Sequence, residues 1–83
     1  MNLAQTPASI ADDAIETVRY GQEHARWLSA LMVAIHADLT HGKGFKALDL
    51  ASLGQYLADD CTNYLDREQK RLQADLDQSE AAQ

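Results

Sequence analysis

The apolar and small residues of the first half of the chain keep one beat. Ala11, Ala14, Val18, Gly21, Ala25, Leu28, Met32, Ile35 and Leu39 are separated alternately by three and four positions. That spacing holds one stripe of an α-helix apolar for about four heptads, as in a coiled-coil seam. Thr6-Pro7 marks its beginning, because threonine caps free amide groups and proline suits the first helical position. Ser9 with Asp12 offers a slightly later capping pair. Asp12, Asp13 and Glu16 follow in the early turns, where the helix dipole favours negative charge. The pattern predicts helix one over residues 7–41.

Thr40-His41-Gly42-Lys43-Gly44 then ends the beat, and two glycines in three residues mark a turn over 42–46. Gly42 is placed to take the left-handed conformation that closes a helix. A second helix is predicted over residues 47–76, with Asp49 as its cap and a seam of Leu50, Gly54, Leu57, Cys61 and Tyr64. Leu53 and Leu65 join that seam on one flank. Past Leu65 the apolar pattern thins to Leu72 and Leu76, while Asp66–Lys70 and Arg71–Asp75 stand four apart as supporting ion pairs. Residues 77–83 are expected to fray. Folding the helices back about Lys43 brings Met32 towards Gly54, and Gly21 towards Tyr64 and Leu65. Each glycine then faces a large side chain, so close packing is expected to offset its cost in a helix interior.

Helix one carries a second stripe of Tyr20, His24, Trp27 and Leu31, displaced by about 100° from the first. Leu53 and Tyr56 extend helix two in the same way. A two-helix hairpin hides one face of each helix, so this stripe needs another cover. The predicted fold is therefore all-α: residues 1–83 form one domain, a long antiparallel hairpin that pairs with a second copy as a dimeric four-helix bundle. A monomer with a helix broken at Gly21 or Gly54 is the competing arrangement. The surface expected to serve the dimer or an outside partner is Tyr20, His24, Trp27, Leu31, Leu53 and Tyr56.

Size and charge sharpen this picture. A chain of 83 residues has little core of its own. One cysteine, Cys61, excludes an internal disulfide, and His24, His36 and His41 lack zinc-finger spacing. Association is the remaining source of stability. The net charge of −6 divides evenly, with residues 1–42 and 43–83 each contributing −3. Such a chain repels phosphate backbones and anionic lipid, which argues against direct nucleic-acid or membrane binding. With no leader pattern and no apolar run of membrane-spanning length, a cytoplasmic protein with a reduced Cys61 is expected.

The candidate chemistry is sparse. Asp38 and His41 are three apart, but His36 is five from His41 and falls out of phase with it on a helix. They read as solvated polar residues, so no metal site is assigned. Asp59 and Asp60 precede Cys61 and discourage its thiolate, which makes it a small seam hydrophobe. His24 reads as a hydrogen-bonded interface histidine. Leu48–Leu65 superficially resembles a helix-turn-helix, yet its second half would present Asp59, Asp60 and Asp66 to a phosphate-lined groove. Glycine-rich phosphate loops, nucleophile elbows and HExxH are absent, so no catalytic residue and no cofactor is expected. The function expected is a small acidic protein–protein interaction module, a regulator or inhibitor of a larger partner acting as a helical homodimer. The alternatives are an acidic nucleic-acid mimic that blocks a nucleic-acid-binding protein and, behind it, a DNA-binding regulator.

Overall fold

A computed structural model describes residues 5–81 and shows two helices, α1 from Pro7 to His41 and α2 from Ala47 to Ala81. They fold back on each other as an antiparallel hairpin. The ribbon measures 61 × 18 × 16 Å, with a radius of gyration of 18.6 Å. A compact domain of this length would have a radius of about 12 Å.

The ends of α1 follow from local chemistry. Thr6 is the N-cap in extended backbone, and its Oγ1 accepts the Ser9 N–H at 3.1 Å. Pro7 follows at the first helical position. The later Ser9–Asp12 cap is not used, because Thr6 already accepts the Ser9 amide. Asp12, Asp13 and Glu16 consequently lie beyond the first turn, outside the short reach of the helix dipole.

The turn differs from its sequence expectation in a specific way. Gly42 is extended (φ −100°, ψ −157°), and the left-handed residue is Gly44 (φ 76°). The Gly42 N–H bonds the Ala37 and Asp38 carbonyls, and the Gly44 N–H also donates to the Asp38 carbonyl at 3.1 Å. A Cβ on Gly42 would come within 2.8 Å of Asp38 Oδ1 and 2.9 Å of its backbone oxygen. Gly42 is thus required for close approach, and Gly44 for its dihedral angle. Asp49 does not cap α2, because the helix starts two residues before it. Asp38 instead reaches across from α1, and its Oδ2 accepts the Lys46 N–H at 3.0 Å.

Helix α2 continues through Ala81, past the Leu76 at which the apolar pattern fades. Charge pairing supports this stretch. Lys70 meets Asp66 at 3.0 Å, and Arg71 meets Asp75 at 3.3 Å and Glu68 at 2.9 Å. Gln73 also donates to Asp77 at 2.9 Å. Arg71 further bridges to Asp13 on α1 at 3.2 Å, fastening the open end of the hairpin. The frayed tail expected from Asp77 is therefore helix through Ala81.

The two glycines lie against partner leucines. A methyl on Gly21 would meet Leu65 at 3.8 Å, and one on Gly54 would meet Leu31 at 3.7 Å and Leu28 at 4.0 Å. Gly21 faces Leu65 as the hairpin register predicts. Gly54 faces Leu31 and Leu28, whereas Met32 points away and is 54% exposed. These are ordinary van der Waals separations, so the backbones are not in the enforced close contact expected of a glycine pair.

Candidate interaction surface

The seam between the helices is centred about 80° around α1 from the apolar beat in the sequence, less than a quarter turn. The α1 residues that face α2 most directly are Ile10, Thr17, His24, Leu31 and Asp38, with Ala14, Gly21, Leu28 and Ile35 half-buried on one flank. Ile10 is the one buried hydrophobic residue among the described residues, and His24 the one buried polar side chain. Half of the expected α1 seam therefore lies outside it. Ala11, Val18, Ala25, Met32 and Leu39, the alternate members of the beat, are exposed.

The stripe assigned from sequence to a dimer or outside partner is divided between two environments. His24 is 6% exposed and stacks on Tyr20 with ring centroids 4.1 Å apart. Its Nδ1 donates to the Tyr20 carbonyl at 3.2 Å. Tyr20 in turn packs on Tyr64 of α2, with centroids 4.0 Å apart, and its hydroxyl donates to Asp60 at 3.4 Å. Leu31 sits against Gly54. Tyr20, His24 and Leu31 thus contact or face the chain's own second helix, a correction to their assignment as outward-facing surface. The physical reason is rotation: Tyr20 packs on Tyr64 and bonds Asp60 across the seam, which turns the stripe that includes His24 inward and the outer half of the beat into solvent. Trp27, Leu53 and Tyr56 remain exposed, with Trp27 45% accessible and its ring 4.8 Å from His24.

Partial burial raises the pKa of Tyr20, with the Asp60 carboxylate reinforcing the effect. Burial likewise raises that of Tyr64, whose hydroxyl donates to Glu68 at 3.3 Å. Glu68 is held below the ordinary carboxylate range, first by the hydrogen bond from Arg71, and burial opposes that shift only in part. Arg71 is pushed up by Glu68 and Asp13 and stays charged. The seam chemistry is that of a structural network; every polar side chain in it has a partner within the chain.

Asp38 and His41 do not form part of a metal cluster. The Asp38 carboxylate is engaged with the Lys46 amide, and among the described residues no three His, Cys, Asp or Glu side chains converge on a common point. Cys61 is a free, half-buried seam residue. Among the described residues, no helix is long and apolar enough to cross a membrane.

A groove of about 390 Å³ opens on one side of the hairpin near its free end. Ile10, Ala14 and Val18 of α1 and Leu72 and Leu76 of α2 form its walls, with Gln69 on the rim. This groove and a second one, lined by Ala14, Ile15, Val18, Arg19 and Gln22, show which sides of the two helices share a face. On α1 they are the rows of every seventh residue starting at Ala8, Ala11 and Ala14. On α2 they are the rows starting at Leu48 and Ala51. None of these rows contains Asp, Glu, Lys or Arg, and the charged rows that border them enter the grooves at Arg19 and at Gln73, which shares its row with Asp59, Asp66 and Glu80. The charged side chains of both helices fall on the seam's centre, the opposite face or the outer edges. Sequence reasoning centred on the three-four beat missed this segregation; a count of charge along each seventh-residue row would have found it.

Comparison of the chain with protein-family models, with curated proteins and with solved structures found no match.

Proposed function

We propose that this chain is a small acidic protein–protein interaction module, a non-enzymatic cytoplasmic regulator that docks on a larger protein as a helical homodimer. One observation carries the reading. The accessible surface is 6254 Å², whereas a compact monomer of 9.2 kDa exposes about 4,900 Å². The elongated shape leaves large apolar side chains uncovered. Ile15, Val18, Met32, Val33, Leu39 and Leu48 are all exposed, and none of the described side chains is completely buried. Burial of each such side chain is worth about 1.5–3 kcal/mol, so a surface of this kind favours association.

The charged side of the ribbon supports docking on a different protein. Trp27, Leu53 and Tyr56 stand there among carboxylates, and exposed aromatic residues are frequent anchors of binding energy. The alternative reading, an acidic mimic of nucleic acid, needs free rows of carboxylates. Glu16 is paired with Arg19, Asp66 with Lys70, and Asp13, Glu68 and Asp75 with Arg71, so among the described residues five of the thirteen carboxylates are engaged in ion pairs and Asp12, Asp59 and Asp60 are among the eight that are not. A mimic would bind a basic partner through Coulomb attraction alone and lose it in salt. Affinity capture with the tagged full chain at low and high salt, read by mass spectrometry, separates the two. A partner retained at high salt and released by Trp27→Ala supports the interaction module. Capture limited to basic nucleic-acid-handling proteins, lost on raising the salt, would overturn it in favour of the mimic.

A further inference from the structure

The uncharged face of the hairpin has a definite occupant. We infer that it is the dimer interface, covered by the same face of a second copy whose α1 runs antiparallel and crosses at Ala25. The inference rests on the dimeric reading above and specifies the surface that makes the dimer.

Three observations point to a second copy. The first is area. The chain exposes about 1,300 Å² more than a compact monomer of its mass, and a standard interface buries about 800 Å² on each partner. A ribbon of 61 × 18 × 16 Å can hide that much only along one of its long sides. The second is charge. Each copy carries −6, so association between copies is tolerable only where the interface holds no carboxylate and the charged sides point apart. The uncharged rows supply that face, and the opposite side, with Asp13, Asp60 and the Arg71 network, does not. The third is the distribution of exposed apolar side chains. Of the eleven exposed large hydrophobic residues among the described residues, six (Ile15, Val18, Met32, Leu39, Leu48 and Leu76) belong to the uncharged rows, and the other five are spread over the turn and the remaining sides.

Side-chain size sets the orientation. Along the central exposed row of α1, Ala11 and Val18 near the free end are smaller than Met32 and Leu39 near the turn, with Ala25 between them. A parallel partner would set Leu39 on Leu39 and Ala11 on Ala11, leaving a gap at the free end and a bulge near the turn. A two-fold axis through Ala25 sets Ala11 against Leu39 and Val18 against Met32, so a smaller side chain meets a larger one on each side of the axis. Ala25 against its own copy then permits close approach of the two helices at the crossing. Isologous pairing of this kind closes the assembly at two copies and opposes the helix dipoles.

The test uses the full chain in two independent arms. In the first, sedimentation equilibrium compares wild type, Met32→Lys and Tyr56→Lys, with circular dichroism to follow helix content. Wild type is expected to be a dimer at micromolar concentration. Met32→Lys should raise the dissociation constant about a hundredfold or more, because each dimer carries the substitution twice. Tyr56→Lys should leave it within about threefold. In the second arm, Cys61→Ser serves as the background for single cysteines, which avoids any dependence on whether Met32→Lys folds. Ala25→Cys should oxidise to a disulfide-linked dimer, whereas Ala11→Cys alone should not, since its counterpart is Leu39. The inference fails if Tyr56→Lys dissociates the dimer and Met32→Lys does not, an outcome that leaves the dimeric reading standing on the other face. It also fails if Ala11→Cys closes as readily as Ala25→Cys, or if Ala25→Cys does not close. A wild-type monomer throughout the micromolar range overturns both this inference and the dimeric module.

Discussion

Asp38, in the last turn of α1, accepts the backbone N–H of Lys46 at the threshold of α2. One carboxylate therefore binds the end of one helix to the start of the next, and its own carbonyl receives the Gly42 and Gly44 amides. Asp38→Ala should lower stability by about 1 kcal/mol, the usual cost of losing a helix cap. Asp38→Asn keeps an acceptor oxygen and should lose less. Thermal melts of the three proteins at equal concentration check this, and equal midpoints for wild type and Asp38→Ala would refute it.

Gly54 is buried in the α2 side of the seam, with room for a methyl group between the ends of Leu31 and Leu28. Gly54→Ala should therefore stabilise the chain by about 1 kcal/mol, through helix propensity and added contact. Denaturant midpoints measure the gain. A loss would mean that the helices approach more closely at Gly54 than the 3.7 Å separation implies.

Tyr20 and Tyr64 have raised pKa values in the fold, chiefly through burial. The neutral phenols are thus favoured by the folded state. Their stabilising contribution is complete below the unfolded value of 10.0 and is lost as pH rises through the folded values. Tyrosinate absorbance should appear late and together with loss of helical circular dichroism. Tyr20→Phe and Tyr64→Phe should each shallow that alkaline loss; unchanged profiles would remove the link between ionisation and unfolding.

Glu68 behaves in the opposite sense. Its folded pKa is depressed by the Arg71 hydrogen bond, so its contribution is present above the unfolded value of 4.5 and disappears as pH falls through the folded value. Glu68→Gln should be less stable than wild type at neutral pH, and the two should converge in acid. Parallel stability curves from neutral pH to pH 3 would count against the Glu68–Arg71 bond.

Trp27 lies on the charged side, away from the face assigned to the second copy. Acrylamide should quench its fluorescence equally above and below the concentration at which the dimer dissociates. Protection that appears only in the dimer would place Trp27 in the interface instead.

Much of the hairpin is legible in the sequence because its signals are local. Thr6-Pro7 specifies where α1 starts, the glycines of the turn specify where it stops, and Gly21 opposite Leu65 follows from counting back around the turn. The Gly44 conformation and the Asp38 cap are less legible, since both depend on how the chain closes over eight residues. The helical stretch from Asp77 to Ala81 was obscured because its support is ionic and polar, whereas hydrophobic periodicity reports only on buried stripes. The expected surface was divided for a related reason. Apolar spacing identifies a stripe that seeks cover but does not say which cover it receives: Tyr20, His24 and Leu31 receive it from the chain's own second helix, and Trp27, Leu53 and Tyr56 stay exposed.

The order of residues determined two long helices, their caps, the turn between them and a surplus of apolar surface, because each depends on neighbours within a few turns. The rotation of α1 about its own axis was decided only by tertiary packing. The packing of Tyr20 on Tyr64 and its hydrogen bond to Asp60 hold that stripe inward, with His24 buried beside them, and the rotation left Val18, Met32 and Leu39 on the outer face. Periodicity is unchanged by such a rotation, whereas the pairing of specific atoms across the seam is not.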